Sequence, residues 1–482
     1  MSRPALLLLL AAGILAAEPH PTPAAEPHLT PAAEPHLTPA AEPHPIPAAE
    51  PHLTLAEALR RAGTSSMQAD LAALSLRGAQ GDRDEVKASF LPEIELKGGH
   101  LNLDRDAALR TESFTVGPIP VLGAITVPSL DQPVAQKSSW RYHLTASYLV
   151  YDFGRRSSAL AATRAKERAV DLGGRDAVAR AQADAAARYM TTVNIRARRA
   201  VVAQRRQALE DHLRDARSLF EQGVVARNDL LRTEVALRAV DDAGRTLDNA
   251  LASARESLNI AMGQAPGAPL SLPENLPPPP AMPWDEAAVR SRAPQANAGV
   301  KALEAKVQAA EGQVAFRSRD FAPTVVAQVG HSYEENRFLA HPQQTTLYLG
   351  LSWKLWDGGA RSARVSRSRA EEGSARRELT EARRQVENAA AAALRDYGQA
   401  LAEMETARAN VEAALENLRI VSEQYQQAYA KSADVLDAET VLAESRFSLS
   451  DRLCRAYAVQ AGLLSLLGED LETFYATRSP EH

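Results

Sequence analysis

Residues 347–362 read LYLGLSWKLWDGGARS, and residues 142–157 read YHLTASYLVYDFGRRS. Each stretch alternates, reaches an aspartate and a glycine, and passes into a run rich in arginine and small residues. In the first, Leu347, Leu349, Leu351, Trp353 and Leu355 fall opposite Gly350, Ser352 and Lys354; in the second, Leu144, Ala146, Tyr148 and Val150 fall opposite Thr145 and Ser147. A period of two predicts strands that are apolar on one face and polar on the other. The segments IELKGGH and VVAQVGH, which open after F-L-P and F-A-P, pair with them as hairpins over 93–151 and 324–356.

Working outward, the chain is two copies of one plan. A shift of 205 residues puts Asp152 on Asp357, Gly154 on Gly359, Phe220 on Tyr425, Asp229 on Asp434, Glu234 on Glu439 and Gly263 on Gly468. Ahead of the strands the shift is 231, which matches Phe90 to Phe321, Pro92 to Pro323 and His100 to His331. The 26-residue difference lies in a longer first connection, roughly 101–139. A period above 200 residues is too long for a solenoid and implies a pseudo-symmetric protomer.

The rest of each copy is helical. From Arg155 to Gln222 and from Ala360 to Gln427 there is no proline, so each run can form one helix about 100 Å long. Shorter helices are expected over Asp229 to Met262, Asp434 to Leu467, Thr54 to Ser89 and Trp284 to Arg319. Lengths of this order, without an apolar surface all round, call for coiled-coil or tubular packing. Aromatics make up 5% of the 482 residues, and the net charge is -5 with arginines interleaved among acids, which gives no sign of a nucleic-acid partner. The single cysteine, Cys454, excludes an intramolecular disulfide and a cysteine metal cluster.

The ends and joints complete the division. Residues 1–17, with Arg3 ahead of an apolar run, read as a signal peptide, so the chain is exported. Residues 18–52 are a Pro- and His-rich octad repeat, an extended tether. Its His20, His28, His36, His44 and His52 are of the type that wraps zinc or copper, a reading set against simple expansion of a repeat. Repeat 1 covers 53–263, a Pro-rich linker 264–283, repeat 2 284–469 and a C-terminal tail 470–482. No P-loop, nucleophile elbow or H-x3-H spacing is present, so neither an enzyme nor a cofactor is expected. Four strands cannot close a barrel, and a sheet with one Leu, Tyr and Trp face cannot stand alone in water, so several chains must share one.

The order of these parts carries a resemblance. A helix, F-x-P into a hairpin, YDFGRR or WDGGAR out of it, a long helix, a G-x5-D or A-x5-DVLDAE turn and a helix occur in that order twice, on either side of the Pro-rich joint. From about Leu53 to Glu469 this resembles the TolC-like outer membrane efflux protein family. The resemblance implies an α+β membrane protein: a homotrimer whose twelve-stranded β-barrel lies in outer-membrane lipid and continues as an α-helical tunnel in the periplasm. It also implies an exit duct for drugs or metal ions, working with an inner-membrane transporter through a periplasmic adaptor. Type I protein secretion uses the same architecture, and an exported coiled-coil scaffold or metal-binding protein is the reading from a different class.

Asp434 and Asp437, three apart on one helical face, are the candidate pore constriction, since in a trimer each makes a ring of three carboxylates. Matching aspartates line the entrance constriction in the family. The plainer expectation makes Asp434 and Asp229 helix N-caps and Asp437 a complement to the helix dipole. Ala428 stands where the family, and Gly223 in the first copy, has glycine, and Lys431 is one place from the family's usual arginine. Asp152 and Asp357 are expected to cap the helix after each strand, with Gly154, Gly358 and Gly359 as the hinge and Pro92 and Pro323 turning helix into strand.

Overall fold

A computed structural model describes residues 52–119, 123–273, 276–427 and 429–478. The signal peptide and the tether histidines His20, His28, His36 and His44 lie outside the described residues, as does Ala428.

The first half runs α1 (Leu55–Ser65), α2 (Met67–Ala88), β1 (Glu93–Asn102), β2 (Ala107–Thr111), β3 (Phe114–Ile119), β4 (Gly123–Val127), β5 (Leu130–Ala135), β6 (Ser138–Tyr151), α3 (Arg155–Glu221) and α4 (Arg227–Ala261). The second runs α5 (Glu286–Ala296), α6 (Ala298–Ser318), a 3-10 turn, β7 (Thr324–Glu334), β8 (Gln343–Ser352), α7 (Ala360–Gln426), α8 (Ser432–Leu466) and α9 (Leu471–Arg478). Helices α3 and α7 each have 67 residues, and α4 and α8 each have 35.

Three elements differ from the sequence reading. The helix expected over Thr54 to Ser89 is two, because the Ser66 backbone is extended and its hydroxyl accepts from Ala69 N at 3.3 Å, starting a new helix. Asn297 does the same between α5 and α6, accepting from Val300 N at 3.1 Å. The C-terminal tail, given no element from sequence, carries α9, which buries Leu471, Phe474 and Tyr475 in the main core.

That core lies where the two halves meet the Pro-rich linker. Leu59, Tyr189, Met190, Leu258, Met262, Tyr457 and Leu464 pack together there with Leu272 of the linker. Prolines supply no N–H, so the linker carbonyls need donors from elsewhere. Tyr397 Oη donates to Pro280 O at 2.9 Å and Tyr457 Oη to Pro277 O at 3.0 Å, while Tyr475 Oη donates to Gln460 Oε1 at 3.1 Å. At the start of the folded chain His52 Nδ1 lies 2.8 Å from Ser271 Oγ, so this last tether histidine is engaged by the linker.

The sheet is antiparallel in the order β1-β6-β7-β8, with β1 and β8 as its edges. Register places Ile94, Ala146, Val329 and Leu347 in one row across four strands, and Glu95, Thr145, Gly330 and Thr346 in the next row on the opposite face. A bulge between Leu149 and Tyr151 corrects the expected alternation: Tyr151, not Val150, pairs with Val325. Strand β8 ends at Ser352, short of Leu355, where Trp353 Nε1 donates to Phe321 O at 3.0 Å. The long first connection forms a ribbon, β2 pairing with β5 and β3 with β4.

Candidate functional site: sheet face, junction and helix tip

The apolar face of the sheet is bare. Leu347 is 81% exposed, Leu349 72%, Ile94 73% and Val329 48%. Aromatics bracket this band at both ends. At one end Trp140 packs on His100 and Tyr142 stacks on Tyr333, with ring centroids 5.0 and 5.3 Å apart. At the other end Tyr151, Phe153, Trp353 and Trp356 are exposed, Tyr151 and Phe153 meeting edge to face. From Tyr142 to Tyr151 is about 30 Å along the strand, or about 23 Å of height at a barrel tilt near 40°. That matches the apolar band of a membrane barrel. Among the described residues no helix is long and apolar enough to cross a membrane.

At the strand-to-helix junction the carboxylate of Asp152 accepts from Arg156 N at 2.7 Å and Gly154 N at 3.2 Å, and Asp357 accepts from Arg361 N at 3.1 Å. The N-cap residues themselves are Gly154 and Gly359, both in the left-handed region, so each aspartate caps from two residues upstream. Gly358 shares that conformation, and where it stands the first copy has Phe153 at φ 54°. Sequence reasoning missed the arginines. Arg156 and Arg361 are ion-paired to these aspartates at 3.1 and 3.2 Å, and each guanidinium lies 4.9 Å from the ring centroid of Phe90 or Phe321. The phenylalanine of F-x-P and the aspartate after the strand are thus two sides of one clamp. The signal was the repeated spacing Asp152 to Arg156 and Asp357 to Arg361. Pro92 and Pro323 sit immediately before β1 and β7, where proline forces the chain out of the helix.

At the far ends of the long helices, α3 closes on Gly223 at φ 75°, with Val224 N donating to Leu219 O at 2.9 Å and Gly223 N to Phe220 O at 2.9 Å. In the second copy Tyr429 N donates to Gln424 O at 2.8 Å, the equivalent bond. The N-caps are Ala226 and Lys431, so neither Asp229 nor Asp434 is one, contrary to the plainer expectation. Asp434 stands at the third helical position and accepts from Lys431 N at 2.9 Å, which satisfies one orphan donor of α8. Asp434 and Asp437 are both exposed, and Asp229 is half-buried.

Behind the acidic pair lies a buried polar node that no motif announced. His212 of α3 has Nε2 2.9 Å from Ser432 Oγ, and Ser432 Oγ is 3.4 Å from Thr233 Oγ1 of α4. The imidazole packs on Tyr425 of α7 at 4.7 Å between ring centroids. Burial pushes the His212 pKa below its ordinary value, against the opposing pull of Asp215 and Asp229. Burial, then Asp229 and Asp215, raises that of Tyr425. Among the described residues no group of side chains could hold a metal ion.

The family profile of the outer membrane efflux proteins matches residues 59–264 and 289–469, most of the chain and both halves. The chain belongs to the outer membrane efflux protein family. It is therefore an outer-membrane efflux channel of a Gram-negative bacterium rather than an enzyme, with a large helical part in the periplasm. No curated protein sequence matches it. In fold it is similar to the outer membrane protein VceC from Vibrio cholerae, at 17% identity and TM-score 0.69 over 86% of this chain and 96% of that one. It is also similar to the Campylobacter jejuni CmeC outer membrane channel, at 12% identity and TM-score 0.67 over 88% and 89% of the two chains. The open-state Neisseria gonorrhoeae MtrE outer membrane channel resembles it at 16% identity and TM-score 0.68, over 86% and 89%.

Proposed function

We propose that this efflux channel is a homotrimer in which three four-stranded sheets close one twelve-stranded barrel, continued through the periplasm by helices α3, α4, α7 and α8. The observation that carries this reading is the sheet itself, which has two unpaired edges, β1 and β8, and an exposed apolar face. Unpaired edges demand strand partners, and a bare apolar face demands lipid. The matching helix lengths in the two halves support an internal two-fold repeat, so that three chains supply six similar helical units around one tunnel.

The channel serves as the exit duct of a tripartite pump, joined through a periplasmic adaptor to an inner-membrane transporter, and passes small molecules such as drugs or metal ions. Its entrance constriction is formed by Asp434 and Asp437, whose exposed carboxylates on one face of the first turns of α8 become two rings of three in the trimer. Such rings attract cations and repel anions at short range. The test is single-channel recording of the purified protein in a planar bilayer. D434N/D437N is expected to lower cation preference and raise conductance; unchanged conductance and selectivity would refute the constriction.

A further inference from the structure

The node behind the acidic pair joins the two helical hairpins of the chain. His212 and Thr233 belong to α3 and α4, Tyr425 and Ser432 to α7 and α8, and no two of the four share a helix. All four are buried: Ser432 and Thr233 fully, Tyr425 to 4% exposure and His212 to 9%. Ser432 is the first residue of α8, two before Asp434, so whatever holds Ser432 sets the position of the acidic pair. Just behind it α3, α4 and α8 share the apolar contacts of Val202, Leu209 and Val240, with Leu436 packed against them. The contact between the His212 imidazole and the Ser432 hydroxyl is the tip end of a seam that further along carries Arg205 Nη2 donating to Thr440 Oγ1 and Asn194 Nδ2 donating to Asp451 Oδ1, each at 2.7 Å.

We propose that His212 is a pH-sensitive latch that holds the α7–α8 hairpin against α3–α4 and so keeps the tip closed when its imidazole is neutral. The inference rests on reading this end of the helices as the pore's closure. The groups whose charge acts on His212 are Asp215 on its own helix and Asp229 on α4; α7 contributes the phenol of Tyr425 and α8 the hydroxyl of Ser432. Both carboxylates favour the protonated ring, yet burial outweighs them. The Tyr425 Oη is buried with no hydrogen-bond partner among the described residues.

The sign follows from where the proton binds better. In the closed tip His212 titrates below the ordinary histidine value of 6.5, whereas in an opened, wetted tip it returns toward that value. Protons therefore favour the open form. The latch is complete above about pH 6.5 and weakens as pH falls below it, by up to about tenfold per chain per pH unit. In a trimer that opens in concert the limit is about a thousandfold per unit.

Bilayer recording between pH 7.5 and 5.5 reads this, and the comparison with H212N separates it from Glu439 of α8, whose pKa burial raises. Wild type is expected to open more often as pH falls. H212N, which can keep a hydrogen bond to Ser432 but does not titrate, is expected to stay quiet at both values, and H212A to be open at both. A second arm avoids any change at the histidine. T233C/S432C, oxidised with copper phenanthroline to a disulfide across the seam, is expected to stay closed at both values. The latch is overturned if H212N follows wild type across pH, or if the cross-linked channel still responds. The gate reading fails separately, if D434N/D437N leaves conductance and selectivity unaltered at pH 7.5.

Discussion

The neighbouring residues Gln328 and Val329 of β7 offer a direct probe of which way the sheet faces. Val329 sits in the central row of the apolar band, four residues from Tyr333 and four from Val325, which pairs with Tyr151, and it is 48% exposed in the single chain. Gln328 points to the opposite face, in a row with Ser147 and Tyr348. If the apolar face meets lipid, Val329→Arg puts a guanidinium at the bilayer midplane at a cost of about 2–4 kcal/mol per chain. Three copies in one barrel raise this to about 6–12 kcal/mol, whereas Gln328→Arg faces the wet lumen and costs close to nothing. The assay is the fraction of each variant assembled in outer membranes, with guanidinium unfolding midpoints in liposomes. V329R is expected to be depleted and destabilised while Q328R behaves as wild type. Equal effects, or the reverse order, would refute the assignment of faces.

Two further outcomes follow from buried groups. Asp357→Ala removes the partner of Arg361, which is only 5% exposed, and should destabilise the strand-to-helix junction by about 3–5 kcal/mol per chain, while Asp357→Asn, which retains an acceptor for Arg361 N, costs less. A fall in thermal midpoint checks it, and equal midpoints for D357A and wild type would remove the clamp from the account. Burial pushes the Cys454 thiol up to about 12, so the native protein should resist maleimide at pH 7.5 and label fully only when unfolded; stoichiometric labelling of the native protein would contradict the packing of α8.

Much of this was legible because the decisive signals are local and occur twice. Alternation in LYLGLSWKLW and the Asp-Gly junctions locate the strands, and the proline-free runs place the long helices to within one residue. What escaped depends on groups far apart in sequence. Arg156 reads as one solvated arginine among many until Phe90 and Asp152 close around it. His212 sits in the charged run EDHLRDAR and is buried only because four helices converge there. Ser66 and Asn297 break helices through caps that a pattern of Ala and Leu does not reveal. The bulge before Tyr151 shifts the face of a strand end by one residue, which strict alternation has no means to express.

The central claim is that one chain supplies a third of a membrane barrel. Native mass spectrometry of the protein extracted by detergent from purified outer membranes tests it most directly. A particle of three chains is the predicted result; a single chain, or recovery of the protein in the soluble periplasmic fraction, would contradict it.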